Sequence, residues 1–382
     1  MDIIYSCCAG LDVHKKTVVV CIRHFGPDGQ VNSEVRTFGT VTKEILAMAD
    51  WLDEQAVSHV AMESTGVYWK PVFNLLEGRF EVLLVNAHHI KQVPGRKTDV
   101  RDAEWIAQLL QYGLLKAGFI PPPPIRELRD LTRQRAQLIR ERASVANRIH
   151  KVLEDANIKL ASVASDVLGV SGRSMLTALI GGAENPDQLA GLARGQLRKK
   201  QPELILALQG LVTNHHRFLL RTLLKQIDQL ENLIAEYASR IDQVMAPFAE
   251  AAARLETIPG LGSHAAEAIL AEIGDDMSVF PTAGHLASWA GLCPGNNESA
   301  GKRRTGKTTK GSQWLRMILV QVAWSASHTK DTILSWTYRR WAKRMGKKKA
   351  LVALSHKIIV IIYLLLKNQT EYREAYAGPV AA

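Results

Sequence analysis

The sequence predicts an α/β domain followed by two largely helical regions, a mixed α/β plus α architecture. Three observations predict it. Residues 1–118 alternate β-branched, strand-like runs with amphipathic ones. Pro121 to Pro124 form a four-proline run that reads as a stiff extended linker rather than helix. Beyond it, apolar residues recur every seven positions among many arginines, the pattern of long helices. The chain therefore divides into residues 1–118, 119–250 and 251–382.

In the first region, Val18 to Ile22 is a β-branched run expected to pair with the strand leading into Asp12 and with residues 34–41. Lys43 to Gln55 carries Ile45, Leu46, Ala49 and Leu52 on one helical face. Val57 to Met62 is a short strand ending at Glu63, Gly66 to Leu76 is helical, and Phe80 to Val85 is a buried strand. Thr98 is placed to N-cap the helix that follows. The order β-β-β-α-β-α-β-α is that of a ribonuclease-H-like domain.

In the second region Leu131, Leu138, Val145 and Val152 stand seven apart. A second helix carries two columns, Leu220, Ile227, Ile234 and Ile241 with Leu223, Leu230, Tyr237 and Val244. They make an a/d seam ~37 Å long at 1.5 Å per residue. Two readings of the seam stand side by side: a hairpin between the two long helices, and a coiled coil that joins protomers. Residues 155–202 read as short helices with loops at Gly169–Gly172, Gly181–Pro186 and Gly191–Gly195.

In the third region, LETIPGLGSHAAEAILAEI at 255–273 fits a helix-hairpin-helix. Its Gly260 and Gly262 would let backbone N–H groups approach a phosphate. A polar, basic, glycine-rich loop is expected at 290–316, with Lys302, Arg303, Arg304, Lys307, Lys310 and Arg316; residues 338–349 add a further basic run. The apolar stretch Ile358 to Leu366 is too short to span a bilayer and reads as a buried helix.

Composition narrows the function. The chain has 382 residues and a net charge of +11, with a pI near 9.5. Such a balance favours a polyanionic partner. Cys7, Cys8, Cys21 and Cys293 make no CxxC pair, which argues against a zinc site and a disulfide framework. The N-terminus lacks the basic-then-apolar pattern of a signal peptide. The expected compartment is therefore the cytosol or nucleoid, with no membrane partner.

Four carboxylates stand at the ends of expected elements: Asp12 in GLDVHKK, Glu63 in MESTG, and Asp99 and Asp102 in KTDVRDA. Close carboxylates repel, by ~4 kcal/mol for a pair 4 Å apart at an effective dielectric of 20. Together they make chemical sense around a divalent cation, Mg²⁺ or Mn²⁺, acting on phosphate. Ser299, between Gly295 and Ala300-Gly301 and ahead of Lys302, Arg303 and Arg304, is a second candidate. Small neighbours allow a backbone to approach, and the cations would stabilise an attacked phosphate.

These motifs resemble the DEDD pattern of a family of insertion-sequence transposases and Piv-type DNA invertases. The resemblance runs in order through PPPPIRELRDLTRQRAQL, IPGLGSHAAEAILAEIGD and FPTAGHLASWAGLCPGNNESAGKRRTGKTTKGSQWLR, nearly the whole chain. It implies a RuvC-like N-terminal domain in which Asp12, Glu63, Asp99 and Asp102 are metal ligands, and a C-terminal transposase domain in which Ser299 is the nucleophile. The usual motif is closer to Ser-Gly-Gly, so Ala300 departs at one small residue. The resemblance further implies donor and target DNA as substrates, a structured guide RNA, and homodimers that pair into tetramers. In such assemblies the acidic site of one protomer is completed by the serine of another.

The expected function is thus Mg²⁺-dependent DNA strand cleavage and exchange through a serine. Alternatives are a metal-dependent junction nuclease using water, with Ser299 incidental, and a non-catalytic nucleic-acid scaffold. A sugar-kinase-like ATPase would share the first-strand Asp, but the glycine-rich phosphate loops it needs are missing from the sequence.

Overall fold

A computed structural model of the chain describes residues 2–27, 29–64, 66–86, 102–295, 297–299, 302–305 and 307–374; for 297–299 and 302–305 it describes the backbone. The chain divides into two units, Met1–Ile120 and Pro121–Ala382.

The first unit is built on a five-stranded sheet of order β3-β2-β1-β4-β5. β1 (Cys7–Val13), β2 (Thr17–Phe25) and β3 (Val31–Gly39) run antiparallel, while β4 (His59–Glu63) and β5 (Glu81–Val85) continue parallel to β1. The mixed sheet and its element order are compatible with a ribonuclease-H-like domain. Alternation of side chains then sorts the sheet's two faces. Ala9, Leu11, Val18, Val20, Val60 and Met62 pack against α1 (Thr42–Glu54) and α2 (Trp69–Leu76). Cys8, Ala61, Val19 and Cys21, on the other face, pack against α3 (Asp102–Gln111). The helix expected from Gly66 begins at Trp69, and Thr98 lies outside the described residues.

The second unit opens on α4 (Pro123–Asp155), which corrects the linker reading of the proline run: Pro123 and Pro124 are its first two residues. The first N–H groups of a helix have no intrahelical acceptor, so proline costs nothing there and pre-sets φ. α4 and α9 (Asn214–Met245) form an antiparallel hairpin. Polar side-chain contacts follow its length, from the His216–Asp155 hydrogen bond at 2.9 Å through the Arg142–Glu231 ion pair at 2.6 Å to the Arg240–Glu127 ion pair at 2.7 Å. Leu138, Val145, Leu220, Ile227 and Leu230 are buried within it. The heptad columns are therefore used inside one chain.

Around one end of the hairpin wrap α5 (Leu160–Val163), α6 (Val170–Ile180), α7 (Pro186–Gly191) and α8 (Gln201–Ala207). Gly172, expected in a loop, lies inside α6, where a Cβ would sit 2.1 Å from the Val167 carbonyl oxygen. The remaining helices are α10 (Ala249–Glu256), α11 (Ser263–Ile273), α12 (Ala283–Trp289), α13 (Gln313–His328), α14 (Ile333–Met345) and α15 (Lys347–Asn368). Between α12 and α13 the expected loop contains a hairpin, β6 (Asn297–Ser299) and β7 (Lys302–Thr305). The C-terminal apolar stretch belongs to a longer element than expected. α15 has the length and apolarity to cross a membrane, but its Leu354, Ile358, Ile359 and Ile362 are fully buried among the other helices.

A run of long-range ion pairs ties α4 to α11. Arg133 grips the buried Glu272 with two bonds, Nε to Oε1 at 2.7 Å and Nη2 to Oε2 at 2.9 Å. Arg129 donates to the Glu272 carbonyl at 2.6 Å, and Arg135 to the Glu267 carboxylate at 2.6 Å. These arginines, which read in sequence as part of a basic helix surface, are consumed inside the fold.

Candidate active site

Three of the four expected carboxylates stand near one another at one end of the sheet. Parallel pairing sets Leu11 beside Met62, so the next residues, Asp12 and Glu63, are neighbours across β1 and β4. Leu11 and Met62 face α1 and α2. By alternation Asp12 and Glu63 face the side covered by α3. Asp102 is the first residue of α3. All three carboxylates are half-buried. Asp99 lies outside the described residues.

What seats α3 here is Gly10, two residues before Asp12. A Cβ at Gly10 would lie 2.3 Å from the Ala103 carbonyl oxygen and 2.3 Å from the Ala107 nitrogen. The helix backbone therefore rests directly on the strand backbone, a contact only glycine permits. The far end of α3 is held by Gln111. Its side-chain oxygen accepts from Arg23 Nε at 2.9 Å, and its carbonyl accepts from the Ile4 N–H at 2.9 Å. Sequence reading passed over Gly10, although an isolated glycine inside a strand is itself a sign of close backbone approach.

Electrostatics report the same convergence. Burial raises the pKa of Asp12 above the usual carboxylate range, and the Asp102 and Glu63 charges raise it further, while His14 opposes them. His14 Nε2 stands 3.0 Å from Asp12 Oδ2 and orients that carboxylate. His14, just past the end of β1, was another residue that the sequence did not single out; the signal is its place two residues on from Asp12. Among the described residues no three His, Cys, Asp or Glu side chains stand close enough together to hold a metal ion. The donor set of Asp12, Glu63 and Asp102 is all oxygen and mutually repulsive, which fits a hard divalent cation in chemistry.

The candidate serine belongs to the second unit. Ser299 ends β6 and pairs with Lys302 at the start of β7, and Glu298 pairs with Arg303. Arg304 lies in β7 as well. Below them the ladder continues through Pro294 and Thr308, and the Gly295 N–H donates to the Lys307 carbonyl at 2.8 Å. At its foot Gly291 (φ +67°) and Gly311 cross so closely that a Cβ on Gly311 would sit 2.3 Å from the Gly291 nitrogen. Arg316 locks this crossing, with Nη1 donating to the Gly291 carbonyl at 3.0 Å and to Thr308 Oγ1 at 2.6 Å. Its guanidinium is thus engaged by the hairpin base. Lys307 and Lys310 are exposed.

The glycines at 260 and 262 separate in the structure. Gly260 (φ +86°) lies against α13, where a Cβ would be 2.4 Å from the Ala326 nitrogen. Its need for glycine is met by helix packing. Gly262 is exposed at the N-cap of α11, with open space around it and no side chain capping the helix.

Comparison with known proteins follows the same two segments. Residues 9–158, which hold the four carboxylates, match the DEDD-type transposase model of the IS110 family. Residues 252–339, which hold Ser299 and the glycines, match the model of the IS116/IS110/IS902 transposase family. The chain is 24% identical over 299 residues to the transposase for insertion sequence element IS1111A of Coxiella burnetii, covering 76% of this chain and 72% of that one. It is 22% identical over 331 residues to an uncharacterized protein of insertion element IS116 from Streptomyces clavuligerus, covering 77% and 80%. It is 30% identical over 128 residues to the pilin gene-inverting protein of Moraxella bovis, covering 32% and 38%. With both models matched in order along one chain, and a transposase and an invertase among its relatives, the chain belongs to the IS110 family of DEDD transposases, enzymes that cleave and rejoin DNA.

Proposed function

We propose that the enzyme exchanges DNA strands through a covalent link to Ser299, with Asp12, Glu63, Asp99 and Asp102 holding Mg²⁺ or Mn²⁺. The observation that supports this reading is that Asp12, Glu63 and Asp102 lie on one face and at one end of the sheet, near enough for the Glu63 and Asp102 charges to raise the Asp12 pKa. Bound there, the cation would supply positive charge to the attacked phosphate and acidify the attacking hydroxyl.

The chain's own groups account for the rest. Ser299 Oγ loses its proton and bonds to phosphorus as the bond from phosphorus to the leaving sugar oxygen breaks; that oxygen takes up a proton. The reverse attack by the partner strand's hydroxyl rejoins DNA and frees Ser299, so no nucleotide cofactor is consumed. Lys302, Arg303 and Arg304 neutralise the phosphate beside the serine. The segment from α10 through α11 serves as a helix-hairpin-helix, in which the uncapped N-terminus at Gly262 offers N–H groups to a phosphate, and Lys307 and Lys310 add backbone contacts. The first unit is then RuvC-like.

Sequence choice by a structured guide RNA, assembly of homodimers into tetramers, and action in the bacterial cytosol follow from the family resemblance. Sequencing the RNA that co-purifies and measuring mass by light scattering check the first two.

A nicked suicide DNA substrate tests the chemistry. The wild-type enzyme with Mg²⁺ should leave a protein–DNA adduct stable to denaturation, and Ser299→Ala should leave none. Cleavage by Ser299→Ala at the wild-type rate would favour water as nucleophile. Cleavage that survives both EDTA and Asp102→Ala would remove the carboxylates from the reaction.

A further inference from the structure

We infer that α14 carries a site for an unpaired nucleic-acid strand, in which Trp336 stacks on a base while Arg339, Arg340, Lys343 and Arg344 hold the flanking phosphates. The inference rests on the reading that the enzyme acts on nucleic acid and adds where, and in what form, a strand is held. At 100° per residue these five positions fall within an arc of about 140°, along about 12 Å of one helix. All five are exposed, while Leu334, Ser335 and Thr337, which fall outside that arc, are buried. They line a shallow groove of ≈ 640 Å³.

Two features separate this face from an ordinary solvated one. Trp336 is 58% exposed. A large aromatic left in water on a helix whose other face is well packed is an unpaid hydrophobic cost, and a flat apolar ring amid cations is the pattern that stacks bases. The cations are also uncommitted. Elsewhere in this unit arginines are absorbed by carboxylates, as with Arg133, Arg135, Arg142, Arg173, Arg217 and Arg254. Among the described residues none of the four on α14 meets a carboxylate. No Asp or Glu occurs between Asp331 and Glu371, so the surrounding sequence offers none.

The chemistry selects strand form. In a duplex the base faces are stacked on one another and closed to Trp336, whereas an unpaired strand offers phosphates and open faces together. RNA and DNA share these groups, and the test includes both.

Binding of the full-length enzyme to labelled oligo(U), oligo(dT) and a duplex of equal length is measured by fluorescence anisotropy. Trp336→Ala should weaken binding of at least one unpaired strand by about five- to 150-fold. Trp336→Phe should retain most of the affinity, and duplex binding should change less than twofold. Replacing all four cations by Gln should lower the salt dependence for the unpaired strand by about three in log–log slope. Equal losses for Trp336→Ala and Trp336→Phe, or a duplex loss as large as the single-strand loss, would overturn the inference. So would a Trp336→Ala protein that binds normally but changes oligomeric state, since the face would then be covered by a second copy. Adduct formation by Ser299 is scored separately, so failure here is distinct from failure of the proposed chemistry.

Discussion

Replacing Gly10 by Ala is the sharpest probe of how the fold builds the carboxylate cluster. The added Cβ would lie 2.3 Å from the Ala103 oxygen, 2.3 Å from the Ala107 nitrogen and 2.9 Å from the Ala107 Cα. Non-bonded heavy atoms settle near about 3.5 Å, so α3 must lift by about 1 Å. All three obstacles are backbone, so no rotamer change can absorb the strain. Overpacking of this kind costs about 2 kcal/mol, roughly 8 °C in melting temperature for a unit of this size. Asp102 begins the helix and moves with it. A displacement of about 1 Å at a reacting centre can cost about a hundredfold in rate. Thermal melting followed by circular dichroism, with adduct formation on the suicide substrate, measures both. Gly191→Ala is the control, since a Cβ there meets nothing within 4 Å, and it should change neither. A Gly10→Ala enzyme that melts with the wild type and forms adduct at the wild-type rate would refute the argument that α3 is seated by this glycine.

Two further outcomes concern charge. The pKa of Asp12 is raised in the fold by burial, with Asp102 and Glu63 adding to the rise. The folded protein therefore binds that proton more tightly than the unfolded chain, and stability falls as pH rises from the unfolded value through the folded one. Asp12→Asn should therefore raise the melting temperature of the metal-free protein at neutral pH and abolish any further rise on adding Mg²⁺; a lower melting temperature than the metal-free wild type would contradict this. Glu272, 3% exposed at its side chain, holds Arg133 from a helix 139 residues further along the chain. Glu272→Ala leaves the half-buried Arg133 and the more deeply buried Arg129 without their carboxylate and should cost about 3 kcal/mol in a urea melt, with Glu272→Gln costing less because it still accepts a hydrogen bond.

Much of the first unit was legible from local pattern. The β-branched run at 18–22, the amphipathic stretch at 43–55 and the short strand before Glu63 each became the expected element within a few residues, because period and propensity act over one or two turns of chain. The positions of Asp12 and Glu63 at strand ends followed from the same runs. The proline run was misread because the rule against proline in helices fails at the first turn, where Pro123 and Pro124 sit. The stretch around Ser299 was misread as loop. Its strands are only three and four residues long and polar, so neither alternation nor burial marks them.

What the sequence by itself determined is most of the elements and the chemistry available on each: carboxylates at the ends of strands and a helix, a serine among cations, two helices with apolar seams. What the tertiary structure decided is which of these groups meet. Parallel pairing placed Asp12 beside Glu63, and a glycine too small to hold α3 away brought Asp102 to them. Burial consumed Arg129, Arg133 and Arg135 on a helix more than 130 residues away in sequence, while Trp336 and its cations were left in solvent. The physical reason is range. Backbone periodicity is written into neighbouring residues, but the partner of a buried charge or of a bare strand backbone is chosen by the packing of the whole unit.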